Sequence, residues 1–327
     1  MRKKISIVVT SLLIIIIGFL VIKNTNKKND NEEKFDTIKV AEVTHSAFYA
    51  PFYVAIEKGY FKDNNINIDL ILTSGANNVV AAVLSGDVQV GFCGPEATIY
   101  VYNEGEKDYV QTFAGLTKRD GQFIVSREKI DDFKLSDLTG KEVVAGRAGG
   151  MPILNFYTAL KNEKVSGVIV NDSVDFANLT SSFISGTGDY VNLFEPNATK
   201  LENMGYGYVV ASIGEYSGEV PYTAFNAKKS YIDNNKELIN RFRDSINKGL
   251  DFTLNNDSEL IAKTIIDLFP DTSLSDLEKI IDRYKVADSW LKDTTINEEL
   301  FERLEDMLID GDLIKEYVPF NELIIND

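Results

Sequence analysis

Two glutamates stand where a strand is expected to run into a helix. Glu96 belongs to the tripeptide GPE and Glu195 to FEP, and each follows a short apolar segment. Proline is favoured in the first helical turn, so each glutamate either accepts N–H groups of a ligand or only complements the helix dipole. Two carboxylates in one cleft would favour a ligand with N–H donors or positive charge and would repel a sulfonate.

A glycine-rich turn, RAGGMP, precedes another predicted helix. In this turn Gly149 and Gly150 allow the backbone to approach a ligand closely, and Met151 opens the helix, where amide groups are free. Arg147 adds a cation that could hold a small anion. The turn has neither a GxGxxG spacing nor a Walker lysine, so a nucleotide site is disfavoured, and a purely structural turn is the alternative.

The first strand ends at a segment with hydroxyl, imidazole and aromatic groups, Thr44 to Tyr49. His45 is the only histidine and Cys93 the only cysteine of the chain. A single histidine is as often structural as ligand-binding, and a Ser-His-Asp triad or a cysteine-based metal site is hard to build from this composition. The sequence therefore predicts no catalytic residue, no metal and no cofactor, and either Tyr49 or Phe48 could stack on a planar ligand.

The stretch from Thr73 to Glu96 is expected to position these groups. A helix from Gly75 to Ser85 ends at Gly86, a short alternating strand follows, and Gly94 leads into the next helix. If that strand is parallel to its neighbours, both helix N-termini lie at the edge of the sheet where open α/β folds bind ligands.

The rest of the chain continues the alternation of strands and helices. Its 327 residues, 44% of them hydrophobic, suit two medium-sized cores. A polar segment at 117–121 and a returning segment at 219–223 are expected to connect two similar α/β units. From Ser230 onward the apolar spacing is helical throughout, which predicts a helical buttress on the first unit.

Charge and the N-terminus limit the location and the partners. The net charge of −16 and the lack of clustered Lys and Arg outside the N-terminus exclude a nucleic-acid partner. MRKK is followed by an apolar run over 5–22, which predicts a membrane anchor or a cleaved signal. Because Cys93 lies far beyond that run, lipidation directly after it is excluded.

Five segments in order carry a family resemblance: APFYVAIEKGYF, SGANNVVAAVLSGDVQVGFCGPEA, RAGGMP, SGTGDYVNLFEPNA and GEVPYTAFNAKKSY. Together, over about 38–243, they resemble the NMT1/THI5-like (SsuA/THI5-like) solute-binding proteins of ABC importers. The resemblance implies an α/β, two-lobed periplasmic-binding-protein fold, type II-like, with a C-terminal helical extension packed on lobe 1. The expected division is an anchor at 1–22, a linker at 23–36, lobe 1 at 37–118 and 222–327, and lobe 2 at 119–221.

The resemblance also implies which residues line the cleft between the lobes. The expected ligand-binding residues are Thr44, His45, Ser46, Tyr49, Gly75, Gly94, Glu96, Arg147, Gly149, Gly150, Met151, Phe176, Glu195, Tyr222 and Thr223.

The expected function is that of a monomeric, membrane-tethered extracytoplasmic receptor. It would capture a small planar N-heterocycle, similar to a thiamine pyrimidine precursor, and pass it to an ABC permease and its ATPase. One alternative is an alkanesulfonate or small-anion receptor, and another is a surface sensor of the same fold. A third is an enzyme of thiamine pyrimidine synthesis, although that branch uses a cysteine-rich motif and this chain has a single cysteine.

Overall fold

The computed structural model of the protein describes residues 35–146 and 148–326. The predicted anchor, most of the predicted linker, and Arg147 lie outside these residues. Among the helices of the described part, none is both long and apolar enough to cross a membrane.

Strands from two separate parts of the chain form the first sheet, in the order β2-β1-β3-β10-β4. Its strands are β1 (Asp36–Glu42), β2 (Ile66–Leu72), β3 (Val90–Cys93), β4 (Val110–Thr117) and β10 (Thr223–Lys228). β3 is parallel to β1 but antiparallel to β10 on its other side, so the condition set from the sequence is met on one side only. The C-terminal ends of β1 and β3 therefore emerge at one edge of the sheet, beside the start of β10.

The second sheet has the order β7-β6-β8-β5-β9. Its strands are β5 (Gln122–Ser126), β6 (Glu142–Val144), β7 (Ile169–Asn171), β8 (Tyr190–Phe194) and β9 (Tyr208–Ser212). β6 is parallel to β7 and β8, whereas β5 is antiparallel to β8 and β9. Gln122 pairs with Phe194, so the start of β5 and the end of β8 lie at the same edge.

Helices follow most strands and continue to the C-terminus. The helices of the first two thirds of the chain are α1 (Ala50–Glu57), α2 (Tyr60–Asp63), α3 (Ala76–Ser85), α4 (Glu96–Asn103), α5 (Met151–Asn162), α6 (Leu179–Ile184), α7 (Asn197–Asn203) and α8 (Ile213–Ser217). The remaining ones are α9 (Lys229–Asn234), α10 (Lys236–Asn255), α11 (Ser258–Ile265), α12 (Leu274–Val286), α13 (Glu298–Asp310) and α14 (Phe320–Leu323). Four 3₁₀ turns occupy Ala47–Tyr49, Leu135–Leu138, Phe176–Asn178 and Ile266–Leu268.

The helical spacing of Phe176, Leu179 and Phe183 predicts one helix from Val174 to Ser185, and the structure differs from this prediction. It begins with the 3₁₀ turn at Phe176–Asn178, and only Leu179–Ile184 is α-helical. Leu179 and Phe183 are buried, but Phe176 is 41% exposed. Because Phe176 is only partly buried, an added N-terminal turn would have less of the packing that stabilises most protein helices.

The C-terminal helices pack on the first lobe and also reach the second. α10 lies against α1, where the Cα of Gly249 is so close that an added Cβ would lie 2.2 Å from the Pro51 carbonyl oxygen. The side chains of Asp257 and Ser273 accept backbone N–H groups at the N-termini of α11 and α12, where Asp and Ser are favoured caps. Arg283 on α12 bonds to Glu195 at the end of β8, so the extension joins the two sheets.

Candidate ligand-binding site

The two lobes meet where β3 ends and α5 begins. An added Cβ on Gly94 would lie 2.0 Å from the Glu96 carboxylate and 2.8 Å from Cγ of Met151, so only glycine fits between them. The N–H of Met151 interacts with the Glu96 carboxylate across the lobe boundary. Glu96 is 3% exposed, and its Oε2 has no hydrogen-bond partner among the described residues. A buried carboxylate oxygen without a partner marks a place where a ligand donor could bind.

The chain passes between the two lobes at 117–121 and again at 219–223, and these two segments are called the crossings. A second set of unpaired polar atoms lies there. Asp120 is 1% exposed; its Oδ1 accepts the N–H of Gln122, and its Oδ2 is unpartnered within the described chain. The Tyr222 hydroxyl faces this carboxylate but falls short of hydrogen-bond geometry, and it too lacks a partner there. Asp120 and Tyr222 thus place a carboxylate and a hydroxyl on opposite crossings, both directed at the space between the sheets.

The second sheet adds two buried amides beside these groups. Gln122 and Asn192 occupy the same face of the sheet as Phe194, because facing residues on paired strands alternate together. Gln122 Oε1 and both polar atoms of the Asn192 amide are buried and unpaired in the described part of the chain. Acceptor oxygens therefore outnumber donors in this part of the site.

Aromatic rings form one wall of the site. The ring of Phe48 lies 5.7 Å from those of Phe194 and Tyr222, centroid to centroid, and joins the two lobes. Trp290, the only tryptophan of the chain, donates its Nε1–H to the Phe48 carbonyl at 2.7 Å. A movement of Phe48 should therefore change the environment of the Trp290 indole.

Burial controls the protonation of the acidic groups. It raises the pKa of Glu96 to about 7, although the N–H groups of Ala97 and Met151 favour the ionised form. Burial likewise raises the pKa of Asp120 to about 8, and the N–H of Gln122 and the Tyr222 hydroxyl offset part of this increase. At neutral pH Glu96 is therefore partly ionised and Asp120 mostly protonated, and a further donor or a cation nearby would favour the ionised form of both.

Comparison with known proteins decides the family. The model of the family described as NMT1/THI5 like matches residues 47–260. The chain belongs to this family. It is 40% identical over 296 residues, 90% of this chain and 89% of the relative, to the "Putative binding protein YtlA" of Bacillus subtilis (strain 168).

Solved structures show that this NMT1/THI5-like chain has the periplasmic-binding-protein fold, as predicted. The alkanesulfonate-binding protein SsuA from Xanthomonas axonopodis pv. citri, bound to MOPS, matches with a TM-score of 0.68 and 13% identity, covering 89% of this chain and 98% of SsuA. The ligand-binding component of an ABC-type import system from Staphylococcus aureus, with zinc bound, also has a TM-score of 0.68, with 12% identity and coverage of 89% and 97%. At these identities the likeness concerns the fold.

The structure brings several of the predicted site residues of this family member together. Tyr49 is fully buried and its hydroxyl interacts with Thr223, while Ser46 Oγ donates to the Glu195 carbonyl across the lobes at 2.6 Å. With these, Gly94, Glu96, Met151 and Tyr222 form one cluster at the lobe boundary. The sequence interpretation missed Asp120, Gln122 and Asn192, although the polar crossing at 117–121 was recognised and adjoins the cleft in any two-lobed protein.

Other predicted residues lie at the margin of this cluster. Gly75 and Gly149 are exposed, and Gly150 and Thr44 are half-buried. Phe176 is partly exposed and contacts Phe194 at 5.7 Å between ring centroids. Arg147 lies outside the described residues. A ligand role for these residues remains a prediction.

Glu195 is fully engaged within the protein. Its carboxylate accepts from the N–H and hydroxyl of Thr199 and from Arg283, whose Nη1 lies 2.6 Å from Oε1. Because all of these donors come from the protein, the carboxylate has little capacity left for a ligand.

His45 is held in a network behind the site. Its Nδ1 lies 2.9 Å from Oε1 of Glu42, and its Nε2 lies 2.9 Å from the Leu268 carbonyl oxygen. Tyr53 donates to the other Glu42 oxygen at 2.8 Å. Since a carboxylate and a carbonyl only accept, both contacts are satisfied together when the imidazole is doubly protonated. The Glu42 hydrogen bond accordingly raises the pKa of His45 above its ordinary value of 6.5.

This network predicts a pH-dependent effect of His45→Gln on stability. A raised folded-state pKa means that the contribution of His45 is fully present below pH 6.5 and declines as the pH rises through the folded-state value. Because the ring is about a third exposed, the variant should lose about 1 kcal/mol of unfolding free energy at pH 5.5 and clearly less at pH 8.5. Urea unfolding at both pH values measures this difference, and an equal loss at both would contradict it.

Two surface grooves lie away from this cluster. One, of about 560 Å³, runs between β9 and α12, and the other, of about 340 Å³, lies between α5 and α13. Several charged residues that line them, including Arg283 and Lys161, are already ion-paired within the protein. The lobe boundary, with its unpaired buried atoms, is therefore the better candidate for ligand binding.

Proposed function

We propose that this protein is the extracytoplasmic solute-binding component of an ABC importer, which captures a small planar N-heterocycle between its lobes and delivers it to a permease. The observation that carries the ligand class is the buried Glu96 carboxylate, whose Oε2 has no partner among the described residues, and whose charge acts on the nearby Tyr49 and Tyr222. A carboxylate accepts ring and amino N–H groups, and aromatic side chains pack on a flat ring. Membership of a family whose relatives include a binding protein supports the receptor role.

The permease and ATPase subunits, the monomeric state and the membrane tether are parts of the same proposal. Relatives of the same fold include a component of an ABC-type import system and sulfonate-binding proteins. A receptor needs no catalytic group, and this agrees with a chain that has one histidine and one cysteine.

A binding panel tests the ligand class. We expect 4-amino-5-hydroxymethyl-2-methylpyrimidine to bind at least about tenfold more tightly than ethanesulfonate, a difference of about 1.4 kcal/mol. Glu96→Gln should weaken the pyrimidine and leave ethanesulfonate unchanged. Isothermal calorimetry gives the affinities, and the fluorescence of Trp290 reports independently on the cleft through its bond to Phe48.

The outcomes separate the alternatives. Tight binding of ethanesulfonate alone would overturn the heterocycle and favour the small-anion receptor. An absorbance band of a lysine aldimine after incubation with pyridoxal phosphate would instead favour the biosynthetic enzyme. Co-purification of the chain with a permease and an ATPase would support delivery over a sensor role.

A further inference from the structure

Two buried carboxyl groups at the lobe boundary differ from the other buried acids of the described chain. Glu42 is bonded to His45, Glu195 to Arg283, and Glu305 accepts the N–H of Val318. Glu96 and Asp120 are 3% and 1% exposed, and within the described residues neither forms an ion pair with Lys, Arg or His. Each also has one oxygen with no hydrogen-bond partner in that part of the chain.

Tyr222 places these two carboxyl groups in one electrostatic environment. Its hydroxyl faces Asp120, and burial together with the charges of Asp120 and Glu96 raises the pKa of Tyr222 well above its ordinary value. Two negative charges sharing a site of low polarity repel each other, so ionising both without a cation is unfavourable. The unliganded site is consequently stable when it keeps protons on these carboxyl groups.

The other titratable groups near these carboxyl groups cannot supply the missing positive charge. Tyr49, Tyr100 and Cys93 have pKa values raised by burial and are neutral at physiological pH. Arg119, the neighbour of Asp120, directs its guanidinium to the Gly214 carbonyl and to Glu219.

We propose that the cleft binds its ligand as a monocation, and that the entering cation replaces a proton held by Glu96 and Asp120. The proton leaves for solvent and the net charge of the site is unchanged, so the exchange needs no oxidant, reductant or other reactant. The proposal rests on the proposed function, since it specifies the charge of the solute bound at the same site. It also assigns a specificity-determining role to Asp120.

The exchange makes affinity depend on pH in a defined direction. The two carboxyl groups titrate near pH 7 and 8 without ligand, so they hold protons at pH 6 and fewer at pH 8. A ligand that stays cationic across this range should therefore bind about tenfold more tightly at pH 8 than at pH 6. Near pH 6, where both carboxyl groups hold protons, its binding should release about one proton, and the number released should fall as the pH rises.

A matched pair of probes tests the proposal on the full-length protein in detergent micelles. 4-Aminopyridine remains a cation from pH 6 to 8, whereas aniline has the same shape and is neutral. Calorimetry at pH 6, 7 and 8 gives the affinities, and the heats in two buffers of different ionisation enthalpy, chosen to buffer at each pH, give the number of protons released. We expect proton release and pH dependence for 4-aminopyridine, and aniline should bind more weakly than it at pH 8.

Two substitutions locate the effect. Asp120→Asn keeps the size and an acceptor oxygen but cannot ionise, so it should weaken 4-aminopyridine about tenfold at pH 8 and reduce proton release. Asp288→Asn is the control, because Asp288 is exposed and paired with Lys118 at the surface. It should change neither quantity.

Each outcome bears on a separate claim. Binding of aniline or ethanesulfonate as tightly as 4-aminopyridine at pH 8, or binding of 4-aminopyridine without proton release, would overturn the cation exchange. Failure of 4-aminopyridine to bind at any pH would overturn it as well. If 4-amino-5-hydroxymethyl-2-methylpyrimidine binds while 4-aminopyridine shows no exchange, the proposed function stands and the cation exchange fails. If only 4-aminopyridine binds, with proton release, the cation exchange and the heterocycle class stand, and the aminopyrimidine is not the ligand.

Discussion

Replacing Arg283 by Met is expected to lower the free energy of unfolding by about 3 kcal/mol, because it leaves a buried carboxylate without its cation. The Glu195 side chain is fully buried and Arg283 is 18% exposed, with Nη1 2.6 Å from Glu195 Oε1. The same guanidinium bonds to Thr199 and to Glu202, so three side chains of the second lobe depend on one residue of α12. Thermal unfolding of the variant should begin several degrees lower than that of the wild type.

Two further variants separate the buried pair from surface charge. Lys279→Met removes another partner of Glu202, but this lysine is 46% exposed, so the loss should stay below about 1 kcal/mol. Adding Glu195→Gln to Arg283→Met removes the orphaned charge and should restore part of the stability. An Arg283→Met variant as stable as Lys279→Met would show that the buried pair does not hold α12 to the second lobe.

The contact between Arg283 and Glu195 also shows where sequence reasoning reached its limit at the site. Glu96 and Glu195 stand in similar local motifs, and a motif predicts only that each lies near a helix N-terminus. Their environments differ because Arg283, far along the chain, neutralises one and no described cation reaches the other. Such long-range pairing leaves no local signal, and the same holds for Asp120, whose neighbour Tyr222 lies on the other crossing.

The fold was more accessible than the site because it follows from local periodicity. The first strand, the short strand that precedes Gly94, and the stop of α3 at Gly86 were all predicted from nearby residues. The C-terminal extension was predicted on the first lobe, but its reach to the second depends on side chains that no spacing reveals. The division of the chain into lobes at 118 and 222 stays a prediction, although no strand of one sheet lies within the range of the other.

Gly214→Ala is expected to reduce both stability and ligand affinity, because this glycine lies directly under Asp120. A Cβ at this position would lie 2.4 Å from the Asp120 carbonyl oxygen and 2.9 Å from the Cβ of Arg119. The backbone of the crossing must therefore move, which should cost about 2 kcal/mol of unfolding free energy. The displaced Asp120 should weaken 4-aminopyridine binding at pH 8 about thirtyfold, or about 2 kcal/mol.

Gly249→Ala provides the matched control for this prediction. Its Cβ would lie 2.2 Å from the Pro51 carbonyl oxygen, an overlap of similar size between α10 and α1. It should lower the melting temperature to a similar degree, with some relief from the better helix propensity of alanine, and leave the affinity within about twofold of wild type. Equal affinity losses in the two variants would mean that the loss follows general destabilisation. A loss of affinity confined to Gly214→Ala would show that ligand binding depends on the position of Asp120. Selection of the solute would then depend on the backbone conformation of the crossing that carries this residue.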